Sequence, residues 1–265
     1  MNMSFFNAAV GAQQQQLRMD VQANNIANVN TFGFKAKQIS FQQLMYSNIR
    51  GIDDEELPRG AGTQMVKATT SFTAGTYQET GRPFDFAING SGFFALYNPN
   101  TGEISYTRDG SFSLSEFLVP APVEEEEEEE EEEELQEGEE ETVPQMISEW
   151  RLSDGDGRFV LDSRGNFLRI TDPSVPTSEL DIGVFDYAIY DGIQHADTGR
   201  FLATEKNGNL YWGTGKVERG VLEGSNVDLG LEMTKVIEAQ RAYSYALKMV
   251  QTSDEIETTI NNLRG

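Results

Sequence analysis

Apolar positions at the two ends of the chain recur with helical spacing, and those in the middle do not. Residues 3–28 contain no proline and a single glycine. At about 100° per residue, Met3, Phe6, Val10, Leu17 and Val21 share one stripe with Asn24 and Asn28. A second row, Phe5, Ala9, Ala12, Ala23 and Ile26, lies beside it. The combined arc is wider than a lone surface helix needs, and its alanines allow another helix to come close. Residues 229–263 are again free of proline, and Leu229, Met233, Val236, Gln240, Tyr243, Leu247 and Val250 alternate steps of four and three. That spacing predicts a helix with a heptad seam carrying one polar member, Gln240. Ile256, Ile260 and Leu263 rotate off the seam, and Asn226 or Asp228 is placed to cap the helix start.

Between the helices, glycine-bearing turns recur at short intervals: Asn89-Gly90, Asp109-Gly110, Gly165-Asn166, Asp191-Gly192 and Asn207-Gly208. The runs they separate, such as Phe84–Ile88, Phe93–Tyr97 and Ile182–Tyr190, are short and β-rich. No βαβ alternation is present, so residues 65–222 are expected to form an antiparallel β domain, and the fold class is α+β. The remaining divisions are an N-terminal helical segment (1–40), a flexible connector (41–64) and a C-terminal helical segment (223–265). Residues 117–148 read as an insertion, so that Ser111–Glu116 and Glu149–Leu161 become neighbouring strands.

Charge changes the picture in one place. The 265-residue chain has 44 acidic and 20 basic residues, a formal net charge of −24. Fifteen of the acids lie in 124–141, so 44 less 15 leaves 29 against 20 on the rest of the chain. Adjacent glutamates repel in any backbone conformation and offer nothing apolar to offset ordering entropy, so this tract is expected to be disordered. The acidic balance argues against nucleic acid or an anionic membrane as partner. Cysteine is absent and His195 is the single histidine, which excludes thiolate metal sites and disfavours a Ser–His triad. No basic, apolar leader is visible and no apolar run is long enough to span a membrane.

Local motifs reduce to turns. Asn89-Gly90-Ser91-Gly92 precedes a strand-like run and reads as a hairpin turn, not a phosphate loop. Gly213-Thr214-Gly215-Lys216 is followed by Val217 where a P-loop needs Ser or Thr. Asp154-Gly155-Asp156-Gly157 lacks the later ligands of a calcium loop. His195 reads as an exposed loop residue. No catalytic constellation appears, no cofactor is called for, and a non-enzymatic role is expected. The cluster Asn24-Asn25-Ile26-Ala27-Asn28-Val29-Asn30 leaves two readings open. It is either an Asn-rich helix end with Gly33 supplying positive φ, or a set of buried amides bonding across a helix interface.

The run Ala23 to Lys35, ending Asn30-Thr31-Phe32-Gly33-Phe34-Lys35, resembles the N-terminal signature of the bacterial flagellar rod and hook proteins. Gly224-Ser225-Asn226-Val227-Asp228-Leu229 with Glu238-Ala239-Gln240-Arg241-Ala242-Tyr243 resembles their C-terminal signature. Phe84 to Phe94 and Tyr106 to Phe112 resemble the β domain those proteins share. The resemblance implies an axial subunit of the basal body whose terminal helices pair as a coiled coil around an export channel, with the β domain outside. It implies self-association into a helical homo-oligomer, contacts with other rod and hook subunits, and passage through the flagellar type III export apparatus. The length and the single β domain are nearer to rod than to hook members. The implied self-assembly residues are Phe6, Val10, Leu17, Val21, Asn24, Asn25, Asn28, Asn30, Gly33 and Phe34 at one end. At the other they are Asn226, Val236, Gln240, Arg241, Tyr243, Leu247 and Val250. Two other classes compete: an enzyme, which needs defined carboxylates in a cleft, and a solitary binding module, whose termini satisfy each other within one monomer.

Overall fold

The computed structural model describes residues 3–43, 47–50, 56–59, 63–120, 146–170, 180–196 and 199–264. Helix α1 (Met3–Ala27) and helix α2 (Leu229–Arg264) enclose a β-rich middle in sequence and lie against each other in space. Asp228 caps α2: its Oδ1 accepts from Leu231 N at 3.1 Å, while Asn226 is used elsewhere. The helices run antiparallel in one register, marked by Ser4 Oγ to Ser253 Oγ at 3.3 Å, Arg18 to Glu238 at 3.5 Å and Asn25 to Glu232 at 3.3 Å. No described helix is long and apolar enough to cross a membrane.

The middle domain is built around Phe93–Tyr97, which pairs antiparallel with Ile104–Thr107, Phe159–Val160 and Val184–Tyr187. Side chains alternate across a strand, so Phe94 and Leu96 point one way and Phe93 and Ala95 the other. The first pair packs with Phe86, Ile88, Phe112, Leu152 and Val160, the second with Tyr106, Phe185 and Phe201. Both faces are covered, which is why this strand is apolar at every position. Full burial of each such aliphatic or aromatic side chain is worth about 1.5–3 kcal/mol. Asn89–Gly92 is not a hairpin turn. It passes the chain from Phe86–Asn89, which pairs with Lys216–Arg219, into the larger sheet.

Three further expectations are corrected. Residues 41–64 are not a bare connector. β1 (Lys37–Gln43), β2 (Ser47–Arg50), β3 (Glu56–Arg59) and β4 (Thr63–Thr70) occupy this region, with β1 paired to β4 and β2 to β3. The β1–β4 ribbon packs on α1, where Gln14 Oε1 accepts from Met65 N at 2.7 Å. The insertion at 117–148 is narrower than its expected bounds, because Ser113–Pro120 and Met146–Ser153 pair from Ser113↔Ser153 out to Pro120↔Met146. The glutamate tract, 124–141, lies outside the described residues. His195 is exposed as expected, but it sits in a short strand, Gln194–Ala196, and not in a loop, and its Nε2 meets Thr70 Oγ1.

Candidate assembly interface

The most deeply buried positions of the seam between the two helices are small and polar residues. On α2 its buried or half-buried row is Glu232, Val236, Ala239, Tyr243, Ala246, Val250 and Ser253. Val236, Tyr243 and Val250 belong to the expected heptad, but Ala239, fully buried, takes the place of Gln240, and Ala246 that of Leu247. On α1 the buried positions are Ala12, Gln14, Gln22 and Asn25. Interhelical distance follows side-chain size, so this composition lets the helices sit close.

The large apolar residues are turned away from that seam. Phe6 is 41% exposed, Leu17 37% and Leu247 40%, while Val10 and Val21 are half-buried. Leu229, Met233 and Ile237 continue the Leu247 side of α2, and Tyr245, Met249 and Ile256 lie on its other flank, all exposed. Gln240 and Arg241 are exposed too. The expected stripes are therefore split: Val236, Tyr243 and Val250 lie in the seam, while Phe6, Leu17 and Leu247 do not pack within the chain. The exposed members form apolar rows on the outside of the helix pair.

Where the helices meet the β domain, a buried ionic cluster joins segments far apart in sequence. Lys35 and Glu223 have side chains 0% exposed, and Lys35 Nζ donates to Glu223 Oε1 at 2.6 Å and to Thr73 O at 2.9 Å. Arg108 donates to Glu223 Oε2 at 3.1 Å, to Ile88 O at 3.2 Å and to Gly90 O at 2.7 Å, with its guanidinium 5.5 Å from the Phe93 ring centre. Gly75 N adds a donor to Glu223 at 2.9 Å. Burial pushes the Lys35 ammonium below its usual pKa, Glu223 opposes that shift, and the Arg108 charge reinforces it.

The asparagines divide between the two readings. Asn25 is buried and brackets β1, donating to Lys37 O and accepting from Lys37 N, both at 2.9 Å, and it also reaches Glu232 on α2. Asn24 and Asn28 finish the helix, Asn28 Nδ2 donating to Asn24 O at 2.8 Å, and Asn30 is exposed. Gly33 has φ +67°, donates to Glu223 O at 2.7 Å, and passes so close to the backbone at Asp109 that a Cβ would lie 2.3 Å from its nitrogen. Phe34 is buried beside it. Asn226 accepts from Ala36 N at 2.7 Å and donates to Ser71 O at 2.8 Å, tying the C-terminal segment to the N-terminal one. Sequence reasoning missed Glu223 altogether. Lys35 and Arg108 stood inside quoted runs, but nothing in the sequence paired them.

Comparison with known proteins agrees with this division of the chain. Residues 6–35 match the family model described as flagella basal body rod protein. Residues 87–118 match the flagellar hook protein FlgE/F/G D1 domain, and 218–263 the flagellar basal body rod FlgEFG protein C-terminal region. The chain is similar to the flagellar basal-body rod protein FlgG of Caulobacter vibrioides, 30% identical over 97% of this chain and 98% of that protein. It is similar to FlgG of Bacillus subtilis at 28%, over 98% of each chain, and to the rod protein FlgF of Caulobacter vibrioides at 30%, over 92% and 91%. The matched ends are the segments that the Lys35–Glu223–Arg108 cluster ties together, and with full-length similarity at this level the chain belongs to the flagellar basal-body rod protein family.

Proposed function

We propose that this chain is a structural subunit of the flagellar basal-body rod, most like the distal segment, and not an enzyme. Copies associate through their terminal helices, packed as coiled coils, into a hollow axial filament that transmits torque. Other rod and hook subunits flank it, and the flagellar type III apparatus exports it. One observation carries the reading: the helix pair buries alanine, serine and glutamine within the chain and leaves Phe6, Leu17 and Leu247 outside. A solitary module would do the reverse, since each large apolar side chain gains about 1.5–3 kcal/mol from burial. That gain is left for neighbouring copies. A second reading, a proximal rod or hook-type position, draws on the FlgF relative and the hook D1 match over 87–118.

The test is Leu247→Asp, expressed in a strain lacking the native gene. Leu247 lies off the internal seam, so the purified variant keeps the circular dichroism and thermal midpoint of the parent. Swimming and rod completion are lost, because a buried unpaired charge recurs at every subunit. Normal rods carrying Leu247→Asp would overturn the reading.

A further inference from the structure

We infer that the cavity between the end of α1, the start of β1 and the β domain is a binding site for a carboxylate borne on a small aromatic or apolar body. It uses none of the exposed apolar residues of the helices and stands whether or not the rod reading holds.

The cavity measures about 450 Å³, the size of a small-molecule site. Its rim and floor differ in character. Asn24, Thr31 and His195 are exposed at the rim, while Phe34 and Phe201 are buried below them. The His195 and Phe201 rings stand edge to face with centres 5.0 Å apart. Lys35 and Lys37 complete the polar lining, and no described aspartate or glutamate joins them, although acids outnumber bases 44 to 20 in the chain.

The two lysines differ in how they are used. Lys35 Nζ is committed to Glu223 and to Thr73 O. Behind it, Lys35 and Arg108 share the single carboxylate of Glu223, so that cluster holds two cations and one anion. Lys37 is bonded through its backbone to Asn25 and takes part in no ion pair among the described residues. Its charge is close enough to His195 to help keep that ring neutral. The other charges on the neighbouring elements are spoken for: Lys67 of β4 meets Asp191 at 2.5 Å, and Arg200 meets Asp156 at 3.5 Å. A half-buried ammonium without a counter-charge gains a charge-assisted hydrogen bond from an anion that enters beside it.

The surroundings select the kind of anion. One uncommitted cation matches one negative charge. The helix end here is the C-terminus of α1, whose dipole opposes a doubly charged phosphate, the ligand that helix N-termini favour. The last carbonyls of α1 are already occupied. Asn24 O accepts from Asn28 N at 3.2 Å and from Asn28 Nδ2 at 2.8 Å, and Asn28 O accepts from Thr31 N at 3.2 Å. Asn28 has thereby used one of the two N–H groups of its amide, and the other remains to donate. A carboxylate meets the lysine and amide donors, and the body that carries it meets the two phenylalanines.

His195 is the single histidine and reports from inside the site. The experiment follows its ring by NMR in the full-length chain with isotope-labelled histidine, as benzoate, the neutral benzamide or inorganic phosphate is added. Benzoate is expected to move the ring signals saturably and to raise the His195 pKa, since an anion beside Lys37 offsets the charge that lowers it. Benzamide and phosphate bind at least about tenfold more weakly. Lys37→Met weakens benzoate by about tenfold or more and abolishes its effect on the His195 pKa, while Lys37→Arg retains both. Circular dichroism checks that each variant is folded. Saturation in the monomer assigns the site to a free organic acid. The same ring shift appearing only when copies associate, and lost in Lys37→Met, assigns the carboxylate to an acidic side chain of another copy. No benzoate response and no association-linked shift, equal responses to benzoate and benzamide, tighter binding of phosphate, or a response that Lys37→Met leaves intact would overturn the inference.

Discussion

Glu223→Gln puts the junction to a quantitative test. The substitution preserves shape and removes one negative charge. In the parent that carboxylate accepts from Lys35 at 2.6 Å, Gly75 N at 2.9 Å and Arg108 at 3.1 Å, with both its oxygens used. An amide has a single accepting oxygen, and its nitrogen would face one of the two cations, donor against donor. Lys35 is 1% exposed and Arg108 4%, so neither can turn to water. Removing one partner of a buried ion pair costs about 3–5 kcal/mol. That is a large share of the 5–15 kcal/mol, roughly, that holds a typical domain folded. Urea unfolding of the full chain, followed by circular dichroism, reads the loss as a lower midpoint. The double variant Lys35→Met/Glu223→Gln recovers much of it, because the stranded ammonium is gone while Arg108 keeps Ile88 O and Gly90 O. A loss under about 1 kcal/mol, or losses that simply add in the double variant, would show that the cluster does not hold the junction.

Three further outcomes are expected. Gly33→Ala combines a positive-φ cost of about 1–2 kcal/mol with a Cβ 2.3 Å from Asp109 N, and lowers the thermal midpoint by several degrees; an unchanged midpoint would refute the close approach. His195 is the single histidine, and desolvation of its ring beside Phe201 and Thr70, helped by the Lys37 charge, pushes its pKa from 6.5 down to about 4 although the residue as a whole is exposed. The unfolded chain takes up that proton as pH falls past 6.5 and the folded chain does not until about 4, so the stability it contributes is full above 6.5 and lost as pH falls through 4. Proton NMR of the ring checks this, and a midpoint near 6.5 would contradict it. Replacing 121–145 with a short Gly-Ser linker leaves the midpoint unchanged, since strand pairing closes at Pro120↔Met146; a fall of many degrees would make the acidic tract structural.

The helices were legible because a 3.6-residue period uninterrupted by proline has few other readings. The β domain was legible because glycine turns punctuate it. The seam was placed correctly at Val236, Tyr243 and Val250 and one residue off at Gln240 and Leu247, for a physical reason. A sequence reading ranks Leu247 above Ala246, whereas close approach of two helices within one chain favours the smaller side chain. The connector was misread because Asp53 to Glu56, Pro58 and Gly60 look like linker composition, while β1 and β4 flank them and pair with each other. Glu223 left no trace at all. Its partner Lys35 is 188 residues away, and an isolated acid between Leu222 and Gly224 has no period to betray it.

The contrast between the two kinds of contact bears on how such a subunit works. Buried ion pairs are weak sources of stability compared with apolar packing of the same volume, so Lys35–Glu223–Arg108 is not there to add binding energy. Its bonds are directional. They tie residue 35 of the N-terminal segment, residue 223 of the C-terminal segment and residue 108 of the β domain to one another in a single arrangement. An apolar patch at the same place could slide by a fraction of a turn, while a carboxylate shared between two cations cannot. The apolar rows on α1 and α2 have the opposite character: non-directional, large and exposed. In the rod reading, then, association strength lies in the helices and the angle between helices and β domain lies in the junction. Substitutions in the first would abolish filaments of correctly folded subunits. Substitutions in the second would loosen the subunit itself before any filament forms.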